Sequence, residues 1–279
     1  VIYVDNQLAD DCLGTYSIAN RDNSGSDGNA YNTPQEAADI VEPGDIVFFR
    51  EGVYVNHDDL RAAAVVMNVL RSGTQANPIT FQNYGDEEVI LSAMRPDNDG
   101  HMYSVTLGVA PSEQQDISGQ GVQNIVIDGL IIEGASRAGL VVSGPANKFA
   151  SAENPTENVI VRNVIARNNS GGNASGNGIS TRGKVVNVII EDCQTYNNTG
   201  QGILFGRIAK TWHEFEPEND MSAAQYSVIR NCIAYNNIHP DFPGNTDGIA
   251  GSHMYRCTFE NNVVFGNSDD GIDIYASIE

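Results

Sequence analysis

Twelve residues return, altered but recognisable, in the second half of this chain, and that repetition limits what it can fold into. The copies are "NVIVRNVIARNN" (158–169), "NVIIEDCQTYNN" (187–198), "YSVIRNCIAYNN" (226–237) and "RCTFENNVVFGN" (256–267), with a looser one, "NIVIDGLIIEGA", at 124–135. Each holds a short apolar strand, a polar pair and a second apolar strand; the four closer copies end on Asn. A Gly-Ile pair follows each of those four, at Gly178, Gly202, Gly248 and Gly271. The copies begin at 124, 158, 187, 226 and 256, so successive starts lie 34, 29, 39 and 30 residues apart.

Internal repeats of this length mean stacked units. The strands are too short for a large meander, the Leu-x-x-Leu-x-Leu frame is absent, and the segments lack the 3.6-residue apolar period of helical repeats. Several short β-branched strands per period, turning at Asn and Gly, fit an all-β solenoid: a right-handed parallel β-helix with one coil per period. Asn and Gly are the residues that tolerate left-handed backbone at sharp turns. Stacked Asn169, Asn198, Asn237 and Asn267 are expected to form an amide ladder along one edge. The same alignment puts Cys193 and Cys232 on adjacent coils, about 4.8 Å apart. That spacing suits stacked thiols and is compatible with a disulfide. None of the four cysteines has the CxxC spacing of a zinc or redox motif.

Thr33-Pro34 followed by "QEAADIV" reads as a short helix with Pro in its first turn, placed to cap the open end of the stack. "GDIVFFREGVY" (44–54) and "PITFQNYG" (78–85) are strand signals. No linker interrupts residues 1–279, which read as one β-helix domain. Hydrophobic residues are 41% of the 279, enough for a core. No apolar run reaches membrane-spanning length. Val1-Ile-Tyr-Val4 is already strand-like, so a mature, secreted chain without its leader is expected.

Acidic residues number 36 against 15 basic ones, a formal charge of −21, with Lys148, Lys184 and Lys210 the only lysines. That balance argues against nucleic acid and anionic membranes as partners. It also repels an acidic polymer unless a bound cation reverses the local field. Two coils are lengthened at the same turn, by "SGGNASGN" (170–177) and "IHPDFPGNTD" (238–247), and "GRIAKTWHEFEPENDMSAA" (206–224) adds a third insertion. Insertions on one face of a solenoid often form its binding side. Arg207, Lys210 and Trp212 are therefore candidates for gripping a sugar chain, although Trp212 could equally pin its own loop.

Before the Gly-Ile pairs stand Asn177, Gln201, Asp247 and Asp270. Asp247 and Asp270 thus occupy one turn on neighbouring coils, with Asp269 and Asp273 beside them. Carboxylates so crowded raise one another's pKa unless they point apart into water or a cation joins them. Ca²⁺, which takes six to eight oxygen ligands, suits such a site better than Mg²⁺.

"NTDGIAG" (245–251) followed by "NSDDGIDIY" (267–275) resembles the calcium-site segments of family 9 polysaccharide lyases, which are parallel β-helix enzymes. The resemblance is good over roughly residues 226–275 and otherwise covers only the solenoid plan. It implies Ca²⁺ held by Asp247, Asp269, Asp270 and Asp273, and β-elimination of an acidic polysaccharide such as pectate by a secreted monomer. Members of that family use a Lys base on a coil after the calcium cluster. Here all three lysines precede the cluster, so no residue matches; a longer parent chain would carry the base beyond residue 279, and His253, Arg256 and Lys210 are the alternatives. Polygalacturonase-type hydrolases resemble the chain in an "NTD" and a "DD" on neighbouring coils, but have no evident use for the fourth carboxylate. A non-catalytic carbohydrate-binding solenoid with structural calcium is the reading from another class.

Overall fold

Each repeated segment becomes two strands joined by a residue in left-handed backbone. Thr156–Arg162 leads to Ile165–Arg167 through Asn163 at φ 54°, and Val185–Glu191 leads to Gln194–Tyr196 through Asp192 at φ 53°. Asn231 and Asn261, both at φ 55°, do the same in the next two coils. A second left-handed column, Asn168, Asn197, Asn236 and Gly266, turns the chain again toward a third strand. Short polar side chains and Gly hold these positions because Cβ crowding penalises the conformation least for them.

The resulting computed structural model is a right-handed parallel β-helix and describes residues 1–55, 65–94, 102–108, 121–145, 154–171, 175–207 and 224–275. Three parallel sheets run along it. Sheet I has eleven strands, from Asn29–Tyr31 to Met254–Tyr255 and Thr258–Glu260. Sheet II has seven, from Gly52–Tyr54 to Val263–Phe265, and sheet III has seven, from Val65–Val69 to Ile272–Tyr275. Every coil passes I, II, III and returns to I. In sheet III the register aligns Ile179, Ile203, Ile249 and Ile272, so the Gly-Ile pairs do stack.

Branched aliphatics fill the interior, with Ile179, Ile203 and Ile249 fully buried in one column and Val161, Ile190 and Ile229 in another. Outward columns pair across coils. Arg162 meets Asp128 at 2.8 Å, Arg167 meets Glu133 at 2.9 Å and Arg230 meets Glu191 at 2.6 Å. On sheet II, Tyr196, Tyr235 and Phe265 stack face to face at centroid spacings of 4.9 and 5.1 Å. These spacings follow from the strand separation of a parallel sheet.

The expected helix spans Pro34–Ile40 and covers the first coil with buried Ala37 and Ala38. Thr33 caps it: its hydroxyl accepts from the Glu36 N–H and donates to the Glu36 carboxylate. Gln35 behaves like a missing strand. Its Nε2 donates to Asn68 O at 3.1 Å and its Oε1 accepts from Asn68 N at 2.8 Å, closing the free edge of sheet III. Thr33→Ala is expected to cost about 1 kcal/mol, readable as a lower urea midpoint with unchanged slope.

The Asn ladder lies inside the coil rather than on an outer edge. Asn169, Asn198 and Asn237 are fully buried. The Nδ2 groups of Asn169, Asn198 and Asn237 each donate to the Oδ1 of the next Asn at 2.9 Å, ending at Asn267. All four cysteines are free thiols. Cys193 and Cys232 are buried, and each donates to a backbone carbonyl two residues earlier.

Candidate functional site

The acidic residues sit at the turn from sheet II to sheet III, directly after the ladder. Ile249–Ser252 and Ile272–Tyr275 begin two residues beyond Asp247 and Asp270. Gly248, which follows Asp247, lies against the next coil: a Cβ there would come within 2.8 Å of the Gly271 carbonyl oxygen. Backbone bonds lock this start of the sheet. Gly202 N donates to Asp247 O at 3.0 Å, and Gly248 N to Asp270 O at 3.1 Å. Asp269 N reaches Thr246 O at 3.1 Å.

The column has a shared structural task. Asn177 Oδ1 accepts from Gln201 N at 2.9 Å, and Asp247 Oδ1 accepts from Asp270 N at 3.1 Å. Each side chain thereby caps the turn of the following coil. Asp247 does so with a charge, and it is only 4% exposed, whereas Asp269 and Asp270 are exposed. Burial, together with the charges of Asp269, Asp273 and Asp270, pushes its carboxyl up to about 6 from an ordinary value of 3.8, against the opposing Asp270 N–H bond.

Oxygen atoms of Asp247, Asp269 and Asp270 lie within 4.8 Å of one another, in a grouping suited to a metal ion. Asp273 is outside that group. It pairs in register with Ala250, two residues into its strand, and acts on Asp247 through its charge. Thr246 and Ser268 adjoin Asp247 and Asp269 in the chain, and Gln201 holds the same column position one coil before Asp247; Thr246 Oγ1, Ser268 Oγ and Gln201 Oε1 are buried and unsatisfied among the described residues. Buried polar atoms normally find partners. An oxygen-only donor set with several carboxylates fits a hard divalent cation of the Ca²⁺ type rather than zinc.

Other sequence candidates are distributed differently. Arg207 ends the strand Ile203–Arg207, in sheet III beside Arg182. Lys210 and Trp212 lie outside the described residues. His253 is buried, at φ 52°, just past the far end of Ile249–Ser252. At strand rise it is roughly 20 Å from Asp247, too far for the two to act on one sugar. Arg256 is farther along the chain, exposed, with its guanidinium 5.2 Å over the Tyr255 ring. Both stand at the other end of Ile249–Ser252 from the acidic cluster. Sequence reasoning did not single out the buried oxygens of Thr246, Gln201 and Ser268; Gln201 and Thr246 were visible only as neighbours of the acidic column.

A family model described as "Right handed beta helix region" matches residues 111–278. "Uncharacterized protein YwoF" of Bacillus subtilis (strain 168) is 29% identical over 132 residues, 47% of this chain and 25% of that protein. The chain thus spans a quarter of the length of that relative. Among solved structures, a rhamnogalacturonan lyase superposes with a TM-score of 0.56 at 15% identity, covering 99% of this chain and 62% of the other. XylC in complex with xylose gives 0.57 at 10% identity, with 98% and 60% covered. An alginate lyase from Paenibacillus sp. str. FPU-7 gives 0.48 at 19% identity, with 88% and 72% covered. At these identities the likenesses speak to the fold.

Proposed function

Because the chain belongs to the right-handed β-helix family, we propose that it is part of a secreted, calcium-dependent polysaccharide lyase that cleaves a uronate polymer by β-elimination. One observation carries the reading: Asp247, Asp269 and Asp270 converge at one turn, with Asp247 buried and its carboxyl pushed up to about 6. A protein gains nothing in stability from a buried carboxylate beside other carboxylates. Retaining one there makes sense where a cation is the missing partner.

Bound there, Ca²⁺ would supply the positive charge that binds the uronate carboxylate and stabilises the charge developing at C5. The protein's own contribution is positional. The ladder at the turn and the Gly-backbone bonds of sheet III hold Asp247 and Asp270 one coil apart. Asp269 extends toward solvent, where a polymer would arrive. Asp273, on the outer face of its strand, adds negative charge to the field. The net charge of −21 makes direct binding of a polyanion unfavourable at this turn, so a metal bridge accounts for both affinity and chemistry. The proton at C5 needs a basic acceptor within hydrogen-bond reach.

The test is incubation of the protein, in its longest natural form, with polygalacturonate, alginate and rhamnogalacturonan. Ultraviolet absorbance of unsaturated ends is followed with Ca²⁺ and with chelator. Calcium-dependent absorbance, lost in Asp270→Ala, is the expected result. New reducing ends without absorbance would mean hydrolysis, and neither signal would leave a calcium-braced binding solenoid.

A further inference from the structure

The chain spends its few cations unevenly. Arg21, Arg50, Arg162, Arg167 and Arg230 each sit on a carboxylate. Lys184 and Arg256 have no carboxylate within ion-pair distance among the described residues. Lys184 lies at the turn from sheet III back to sheet I, the end of the sheet III strands opposite Asp247 and Asp270; Arg256 lies two coils on and three residues past that turn, between the sheet I strands Met254–Tyr255 and Thr258–Glu260. Arg182 and Arg207, neighbours in sheet III, end their strands at the same corner.

Backbone geometry marks the same place. The first residue of each repeat is left-handed: Asn124, Asn158 and Asn187 at φ 56°, 55° and 52°, then Tyr226 at 50° and Arg256 at 52°. The three asparagines satisfy one another. Asn187 Nδ2 donates to Asn158 Oδ1 at 2.7 Å, and Asn158 Nδ2 to Asn124 Oδ1 at 3.3 Å. The next two coils abandon this ladder for two large side chains in a conformation that disfavours them. Strain of this kind is retained where something else requires the side chain. Tyr226 is 48% exposed and meets Tyr255 edge-on at 5.6 Å; Arg256 lies over the Tyr255 ring. Tyr226 occupies the coil between those of Lys184 and Arg256. Two cations without a carboxylate partner therefore stand one coil before and one coil after the exposed Tyr226, roughly 10 Å apart along the axis, two coil spacings, with Tyr255 buried beneath Arg256.

We propose that Lys184, Tyr226 and Arg256, backed by the buried Tyr255, form an anionic-saccharide subsite, which takes a uronate carboxylate directly, without a bridging cation, while Tyr226 contacts the sugar ring. The inference deepens the uronate-polymer reading and rests on it. Arg fits a carboxylate through its planar fork and packs on aromatic faces. A polymer spanning sheet III would be gripped at one end through the acidic turn and at the other by this corner.

The test measures binding of oligogalacturonate and oligoalginate hexamers by calorimetry in excess chelator, with a neutral dextran oligomer as control. Wild type should bind at least one uronate hexamer, more weakly as salt rises, and should not bind the neutral one. Arg256→Asn supplies the residue that the earlier coils carry at this left-handed position. It should leave the melting temperature unchanged or higher and weaken uronate binding about tenfold, a loss of one well-placed charge contact. Lys184→Gln should weaken it further and flatten the salt dependence. Unchanged binding in both variants would overturn the proposal. So would equal affinity for the neutral oligomer, no uronate binding in chelator, or loss of fold together with binding in Arg256→Asn. Since this assay needs neither cleavage nor metal, its failure is separable from failure of the lyase assay.

Discussion

Asp247→Asn is expected to fold, to melt several degrees higher than wild type in chelator at pH 7, and to lose the stabilisation that Ca²⁺ gives wild type. The fold should survive because an amide already does this work in the same column two coils earlier: Asn177 Oδ1 caps Gln201 N as Asp247 Oδ1 caps Asp270 N. What disappears is the charge. A carboxyl raised from 3.8 to about 6 in the folded protein destabilises the ionised state at pH 7 by roughly 3 kcal/mol without a cation. The sign follows from proton uptake. Between about pH 4 and pH 6 the folded form holds more protons than the unfolded one, so metal-free wild type loses stability as pH rises through that window. Asp247→Asn should lack this slope.

Saturating Ca²⁺ should act in the opposite sense. At a hundredfold excess over Kd, binding to the folded form contributes about 2.7 kcal/mol. Protons compete for Asp247, so this contribution should fade as pH drops through about 6. Differential scanning calorimetry at pH 7 and pH 4.5, with Ca²⁺ and with chelator, reads all four corners. An Asp247→Asn protein whose melting temperature still rises with Ca²⁺ as much as wild type would move the cation elsewhere. A wild type indifferent to Ca²⁺ would make the cluster a strained acidic turn and nothing more.

The coil plan was legible in the sequence because its constraints are local. Asn or Gly recurs wherever φ must be positive, and β-branched pairs recur between them. The alignment of Gly178, Gly202, Gly248 and Gly271 gave the register of sheet III, and hence the stacking of Asp247 on Asp270. Spacing alone did not separate Asp273 from the other three acids. Side chains alternate along a strand, so three residues past Asp270 it stands over Ala250, outside the close group. Nor does spacing show where His253 and Arg256 stand. Their closeness to Asp247 in sequence hides a whole strand, Ile249–Ser252, between them and the acids. The basic corner was written in the first position of each repeat, where Tyr226 and Arg256 replace Asn, but its meaning needed the backbone angles and the partners of the remaining cations. The amide ladder was expected along an edge. It is buried because the turn folds its side chains inward, where only another amide can satisfy them.

That interior ladder carries the largest expected stability effect: Asn198→Ala should cost roughly 5 kcal/mol. Asn198 Oδ1 accepts from both Asn169 N and Asn169 Nδ2, at 3.1 and 2.9 Å, and its Nδ2 donates to Ala166 O and Asn237 Oδ1, at 3.1 and 2.9 Å. Every valence is used and no water reaches the site, since Asn198 is fully buried. Truncation therefore strands groups on three residues of the two neighbouring coils, Ala166, Asn169 and Asn237, each at about 1–3 kcal/mol, and leaves a small cavity. Gln194→Ala, on the exposed outer face of the same coil, should change stability by less than about 0.5 kcal/mol. Urea unfolding measures both. The comparison also decides whether the ladder acts as a unit. If each amide polarises the next, Asn198→Ala and Asn237→Ala combined should cost clearly less than the sum of the two, because the first already breaks the chain. Strict additivity would reduce the ladder to independent bonds. Either way Asn237 immediately precedes the loop that carries Asp247, and Asn267 lies two residues before Asp269, so a ladder variant that still folds should bind Ca²⁺ more weakly than wild type. A ladder variant with undiminished Ca²⁺ affinity would show that the bonds opening sheet III, and not the amides beneath them, hold the carboxylates in place.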